Sequence, residues 1–124
     1  MTKFNDNTPG QSATRRQIIK GAGVWTHPGE AGNDWVEQLR TADLSVGTYC
    51  IPAGGVDDQS PHTEDEIYVV TAGRARLVTD DGTADLKPGD VVFVPAGEEH
   101  RFVDITEDLA LLVVFAPAYR SRAM

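Results

Sequence analysis

Along most of this chain short runs of Val, Ile, Leu, Tyr and Phe alternate with polar residues, and glycine or proline interrupts them every few positions. The interruptions fall at Gly21, Gly23, Pro28, Gly32, Gly47, Pro52, Gly54, Gly73, Gly82, Pro88, Gly89, Pro95 and Gly97. That spacing is the signature of an all-β sandwich or barrel rather than of βαβ units. It predicts strands over 17–20, 35–39, 44–51, 66–71, 74–79, 91–94, 100–103 and 109–115, with Asp80-Asp81-Gly82 as a tight hairpin turn. No segment carries a helical stripe over three turns. The run 109–115, Leu-Ala-Leu-Leu-Val-Val-Phe, is apolar on both faces and therefore requires cover beyond its own barrel wall, for which a homodimer is the simplest source. The first dozen or so residues have no periodicity and read as a mobile arm, so residues 1–15 are taken as the arm and 16–124 as a single barrel domain.

Length and charge narrow the partners. A chain of 124 residues forms one core and leaves no room for a separate cofactor domain. Nineteen acidic against eleven basic residues give a formal charge of −8, which opposes binding to nucleic acid or to anionic membrane surfaces. Arg15 and Arg16 precede only the short Ile18-Ile19 pair, cut off by Lys20, so neither a signal-peptide core nor a membrane span forms there. The single Cys50 cannot form an internal disulfide, which fits a reducing, cytoplasmic compartment.

The candidate chemistry lies in two glycine-bounded segments, 54–73 and 89–104, which contain His62, Glu66 and His100. Two imidazoles and a carboxylate are ligands that a divalent transition metal selects. If residues 62–70 are extended, period-two alternation places His62, Glu64, Glu66, Tyr68 and Val70 on one face, and the same rule groups His100, Phe102 and Asp104. Taken singly, each of these residues reads as well as a surface or satisfied core residue; the combination in two segments gives the set weight. Glu64 becomes a second inward carboxylate, whose pKa a close neighbour would raise, and so a candidate general base or acid. Tyr68 and Phe102 line the cavity under alternation and are candidate substrate contacts. Glu98 and Glu99 are placed to orient the His100 ring. Cys50 reads as a small buried thiol.

These two segments resemble the paired motifs of the cupin superfamily. Gly54, His62, Glu66 and Gly73 fall on the first motif, and Gly89, Pro95, Gly97 and His100 meet the second in full. The resemblance implies a jelly-roll β-barrel, the double-stranded β-helix, holding one divalent metal. In the register set by Glu66 and Gly73, the family's first His falls on Ser60, which reduces the usual three-His, one-carboxylate set to His62, Glu66 and His100. Three readings stay open: a two-His, one-carboxylate site of the kind found in non-haem Fe(II) oxygenases, a site completed by an oxygen of Gln59, Asp58 or Ser60, and a barrel that binds its ligand without metal.

The function expected from the resemblance is that of a metal-dependent small-molecule enzyme. Fe(II) is the preferred ion, with Mn, Ni, Zn and Cu also compatible, and the reaction is dioxygenation, isomerisation, lyase or cyclase chemistry on a small chelating polar substrate. The alternative is a non-catalytic binding or sensing module with a structural metal or none.

Overall fold

The computed structural model describes residues 15–29, 32–59 and 61–122. The expected N-terminal arm, apart from Arg15, and Ser60 lie outside the described residues. Six strands make up the regular structure: β1 (Asp34–Arg40), β2 (Ser45–Ile51), β3 (Asp65–Thr79), β4 (Gly82–Leu86), β5 (Val91–Val94) and β6 (His100–Ala116). All pair antiparallel in the order β1-β2-β6-β3-β4, with β5 also on β3. The chain is all-β, as its periodicity predicts. No helix among the described residues is long and apolar enough to cross a membrane.

Two long strands form the spine. β6 lies along β3 from the Asp65–Ala116 pair to the Thr79–His100 pair, while β5 flanks the first half of β3 and β4 the second. Register shifts between Val70 and Arg76 insert bulges that bend both strands sharply, so that their halves wrap one core instead of forming a flat sheet. The degree of closure can be read from the chemistry. In the ladder His100 sits opposite Thr79, 79 − 66 = 13 residues along β3 from Glu66, which in a flat sheet is roughly 40 Å at about 3.3 Å per residue. In the folded chain His100 Nε2 lies 3.3 Å from Glu66 Oε1.

Alternation fills the interior. Along β6, Leu109, Leu111, Val113 and Phe115 are buried, and along β3, Tyr68, Val70, Ala75 and Leu77 are buried with them. Each large apolar side chain so buried contributes about 1.5–3 kcal/mol. The outer face of the last strand is partly covered from within: Gly23 packs against Thr71 and Leu112, its N–H bonds Thr48 Oγ1 at 2.8 Å, and Val24 lies over Cys50. Ile67, Val91 and Phe93 remain exposed on the outside of β3 and β5.

Three expected elements differ. Residues 17–20 form no strand, because this stretch leads into the loop that crosses the outer sheet face and pairs with no strand among the described residues. The expected pairs 66–71 with 74–79 and 100–103 with 109–115 are single strands, since Gly73 (φ +89°) and Asp104 (φ +48°) are absorbed as bends within them rather than ending them. β4 gives no periodic signal: all but Leu86 of Gly-Thr-Ala-Asp-Leu is exposed.

Candidate metal centre

Glu66 and His100 stand near the starts of β3 and β6, and His62 ends the loop that leads from β2 into β3. That loop is held down along its length. Gly54 N–H bonds Ile105 O at 2.8 Å, Ala53 N–H bonds Asp108 Oδ1 at 2.9 Å, and His62 O accepts Gly97 N–H at 2.8 Å. The two sequence segments are thus tied to each other at the histidine itself. One ligand atom each from His62, Glu66 and His100 falls within 4.8 Å of the other two.

Glu66 carries the clearest sign of what the site holds. Its side chain is 2% exposed, its Oε1 has no well-aligned hydrogen-bond donor among the described residues, and that oxygen lies 3.3 Å from His100 Nε2 and 3.8 Å from His62 Nε2. A buried carboxylate oxygen without a donor is unfavourable unless a cation shares the space. His100 has its orientation set from behind, because Nδ1 lies 2.9 Å from the backbone carbonyl of Glu98, which can only accept. A proton on Nδ1 leaves Nε2 with a lone pair, 2.9 Å from Tyr68 OH and 3.3 Å from Glu66 Oε1. The expected orienting group is therefore the Glu98 main chain rather than a Glu98 or Glu99 carboxylate. Separations of 3.3 and 3.8 Å suit donors that share one ion at bond lengths of about 2.0–2.2 Å.

The two histidines are tuned in opposite directions. Burial pushes His62 down, with repulsion from His100 added, and this outweighs the pull of Glu66; its imidazole is neutral and free to ligate. Burial also presses His100 down, but the Glu66 contact, the Glu98 carbonyl and the charges of Glu66 and Asp57 together hold it above the ordinary value. Glu66 thus attracts positive charge to this point, as a metal ion or, without one, as a proton on His100.

Tyr68 and Phe102 are fully buried and pack edge to face at 4.9 Å between ring centroids. Tyr68 lies beneath the set with its hydroxyl 2.9 Å from His100 Nε2 and 3.0 Å from Gln59 Oε1, and burial, reinforced by Glu66, keeps this phenol protonated. The cavity in front of the metal set, about 190 Å³, is lined instead by Trp35, Tyr49, Asp58, Gln59, Val113, Phe115 and Tyr119 with His62 and Glu66. It is smaller than the 300–1,000 Å³ usual for drug-sized ligands. Gly47 makes room for its Trp35 wall, since a Cβ there would lie 2.7 Å from Trp35 Cζ3 and from Val36 O. Tyr119 stacks on Phe115 at 4.7 Å and meets the His62 ring edge-on at 5.5 Å.

Glu64 faces away from the ligand atoms to the C-terminal segment. Its oxygens accept the Thr63 hydroxyl and the backbone N–H groups of Arg120 and Arg122 at 3.0 and 3.1 Å. Burial alone would raise its pKa, but these three donors and the nearby His62 outweigh it, and the carboxyl is held below its ordinary range, opposite to the direction alternation suggests. Glu64, with Arg40 on Tyr119 O and Ser45 Oγ on Tyr119 N, straps residues 117–122 across the cavity mouth. Replacing Glu64 by Ala is expected to cost about 2–3 kcal/mol, the worth of hydrogen bonds to a buried charge. It should also make the chain susceptible to trypsin after Arg120 and Arg122, visible by mass spectrometry. Because the folded-state pKa is depressed, the strap's contribution is present above the ordinary value of 4.5 and lost as pH falls through the lower folded value.

Asp57 was not singled out by the sequence. It is 1% exposed and accepts Tyr49 OH at 2.8 Å, Phe102 N–H at 2.9 Å and the Gln59 amide nitrogen at 2.7 Å.

Comparison with known proteins agrees with this fold. Residues 47–115 match the Cupin domain family. An uncharacterised protein of Streptomyces coelicolor is 46% identical over 89 residues, covering 70% of this chain and 85% of its own. Among solved structures, KdgF from Halomonas sp. is 25% identical with a TM-score of 0.64, covering 71% of this chain and 81% of that one. The DMSP lyase DddQ from Ruegeria pomeroyi is 22% identical with a TM-score of 0.65, covering 82% and 54%. An RmlC-like cupin from Shewanella frigidimarina is 20% identical with a TM-score of 0.63, covering 75% and 82%.

Proposed function

The chain belongs to the cupin family, with the double-stranded β-helix fold, and from that premise we propose that it is a metal-dependent enzyme acting on a small chelating polar molecule. His62, Glu66 and His100 would hold one divalent transition ion, Fe(II) in the first place, with Mn, Ni, Zn or Cu compatible with the same donors. The observation that carries this reading is the buried Glu66 Oε1, which has no aligned donor among the described residues and lies near two imidazole nitrogens. When bound, the ion supplies Lewis-acid polarisation or oxygen activation. The protein's own residues do the rest. Trp35, Phe115 and Tyr119 exclude water from the cavity, Glu64 holds the strap that carries Tyr119, and Tyr68 keeps a proton at its hydroxyl beside His100 Nε2. Among the described residues the lining carries the carboxylates Asp58 and Glu66 and no Lys or Arg, which favours a substrate that engages through groups that ligate the ion.

A second reading, a non-catalytic binding module without metal, is favoured by one observation. With a proton on His100, its charge is balanced by Glu66, 3.3 Å away, and its Nε2–H can donate to Tyr68 OH, which donates on to Gln59 Oε1, without an ion. Elemental analysis separates the two. Protein purified without affinity metal or chelator is expected to carry close to one equivalent of transition metal per chain, lost in the His62→Ala, His100→Ala double variant. No metal in the parent protein, even after reconstitution, would leave only the binding module.

A further inference from the structure

We propose that Gln59 supplies an oxygen ligand to the same ion through its side-chain carbonyl, and that Asp57 is the positioning residue that turns the amide that way round. This rests on the metal reading above and concerns which atoms complete the site. Gln59 Oε1 lies 3.0 Å from His62 Nε2 and 3.0 Å from Tyr68 OH. Two donors on neighbouring positions around one ion, each at about 2.1 Å and at a right angle, are ~3.0 Å apart.

The orientation of the amide follows from its other end. Gln59 Nε2 donates to Asp57 Oδ2 at 2.7 Å. Reversing the amide would place its carbonyl oxygen 2.7 Å from a carboxylate oxygen, with no proton between them, and would turn an NH2 group toward the metal set. Asp57 cannot move to accommodate that, because Tyr49 OH, Phe102 N–H and Gln59 N–H bind it from β2, β6 and its own loop, and it is almost wholly buried. Asn33 in turn bonds Tyr49 OH at 3.2 Å. A chain of hydrogen bonds thus presents a carbonyl oxygen to the ligand set.

Chemistry decides between a ligand and a simple hydrogen bond. Without metal, a His62 Nε2–H can donate to Gln59 Oε1. Once Nε2 binds an ion it has no proton to give, and two lone-pair atoms then stand 3.0 Å apart with nothing to relieve their repulsion unless the ion is shared. The resulting set has two nitrogens, one charged oxygen and one neutral oxygen, a harder set than three imidazoles and a carboxylate, which shifts preference toward oxygen-seeking ions. The Asp57 charge behind the amide strengthens the carbonyl as a donor.

Cobalt(II) is the probe, since its visible absorption reports ligand number and type independently of turnover. Gln59 is half-buried in a loop, so Gln59→Leu should fold with a melting temperature within a few degrees of the parent. It is expected to raise the Kd for Co(II) roughly 10- to 100-fold, the range seen when groups supporting a metal site are removed, and to change the Co(II) spectrum. Asp57→Asn, with Gln59 intact, should reproduce part of the Gln59→Leu change. A Gln59→Leu protein with the parent's Kd and spectrum overturns the proposal while leaving the three-residue site standing. A parent protein that binds no Co(II) overturns the metal reading itself, and this proposal with it.

Discussion

Gly73→Ala is expected to leave little folded protein, or a protein that melts roughly 15 °C or more below the parent. Two independent effects add at this position. The backbone has φ +89°, a conformation that costs an L-residue about 1–2 kcal/mol. A Cβ there would also lie 2.7 Å from Asp108 C and from Leu109 Cα, and closer still to the Asp108 carbonyl oxygen. These are backbone atoms of the paired strand, so nothing can swing aside; β3 and β6 must separate where both bend. The combined loss is about 4 kcal/mol or more, in the range reserved for severe lesions, against a total of 5–15 kcal/mol for a domain. The lower unfolded-state entropy of Ala returns at most about 1 kcal/mol. At roughly 4 °C per kcal/mol for a chain of this size, the shift follows. Gly54→Ala is the control: its φ is +77°, but a Cβ meets nothing within 4 Å, so only the conformational part should appear. Equal melting temperatures for the two variants would show that strand contact at Gly73 contributes nothing.

The same residue illustrates what the sequence discloses. Gly73 was legible as a motif glycine because backbone constraints of this kind admit one residue type. Its effect on the strand was not: a glycine that ends a strand and one that bends it look alike until the partner's register is known. The pairs read as separate strands were split for that reason, at Gly73 and at Asp104. The grouping of candidate ligands was readable from the two motifs: Glu66 and Tyr68 share a face of β3 by period-two alternation, whereas His62 reaches the same space from the loop before that strand and His100 closes the second motif. Residues whose role depends on distant partners were opaque. Asp57 sits in an acidic, glycine-rich loop that reads as solvated, yet its donors come from Tyr49 and from Phe102, 45 residues away. Glu64 looked like a second carboxylate in the cavity because alternation gives a side, not a destination; its donors are at Arg120 and Arg122. Trp35 and Tyr119, from opposite ends of the chain, meet over the cavity at 5.7 Å, and no local pattern marks them.

Glu66→Gln should lower divalent-metal affinity about 100- to several-thousand-fold while leaving the metal-free fold nearly intact. The substitution keeps the shape and removes the charge. Removing one partner from a buried charged contact costs about 3–5 kcal/mol, which at about 1.4 kcal/mol per decade gives that range. The fold is spared because the new amide can donate to His100 Nε2, 3.3 Å from the present carboxylate oxygen. A second readout follows from the histidines in chelator-treated protein. In the parent, raised His100 adds stability below the ordinary value of 6.5 and loses it as pH climbs through its higher folded value. Lowered His62 does the reverse, its contribution being present above 6.5 and lost as pH falls, so the two partly cancel. Glu66 is the raising influence common to both. Without it only the Glu98 carbonyl and Asp57 oppose burial at His100 and only Glu64 does so at His62, so stability should fall more steeply than in the parent as pH drops from 7 toward 5. Thermal melts across that interval, with the His100 ring followed by NMR, would read the change directly. Parent-like metal affinity together with a parent-like pH profile would remove Glu66 from the centre of this site.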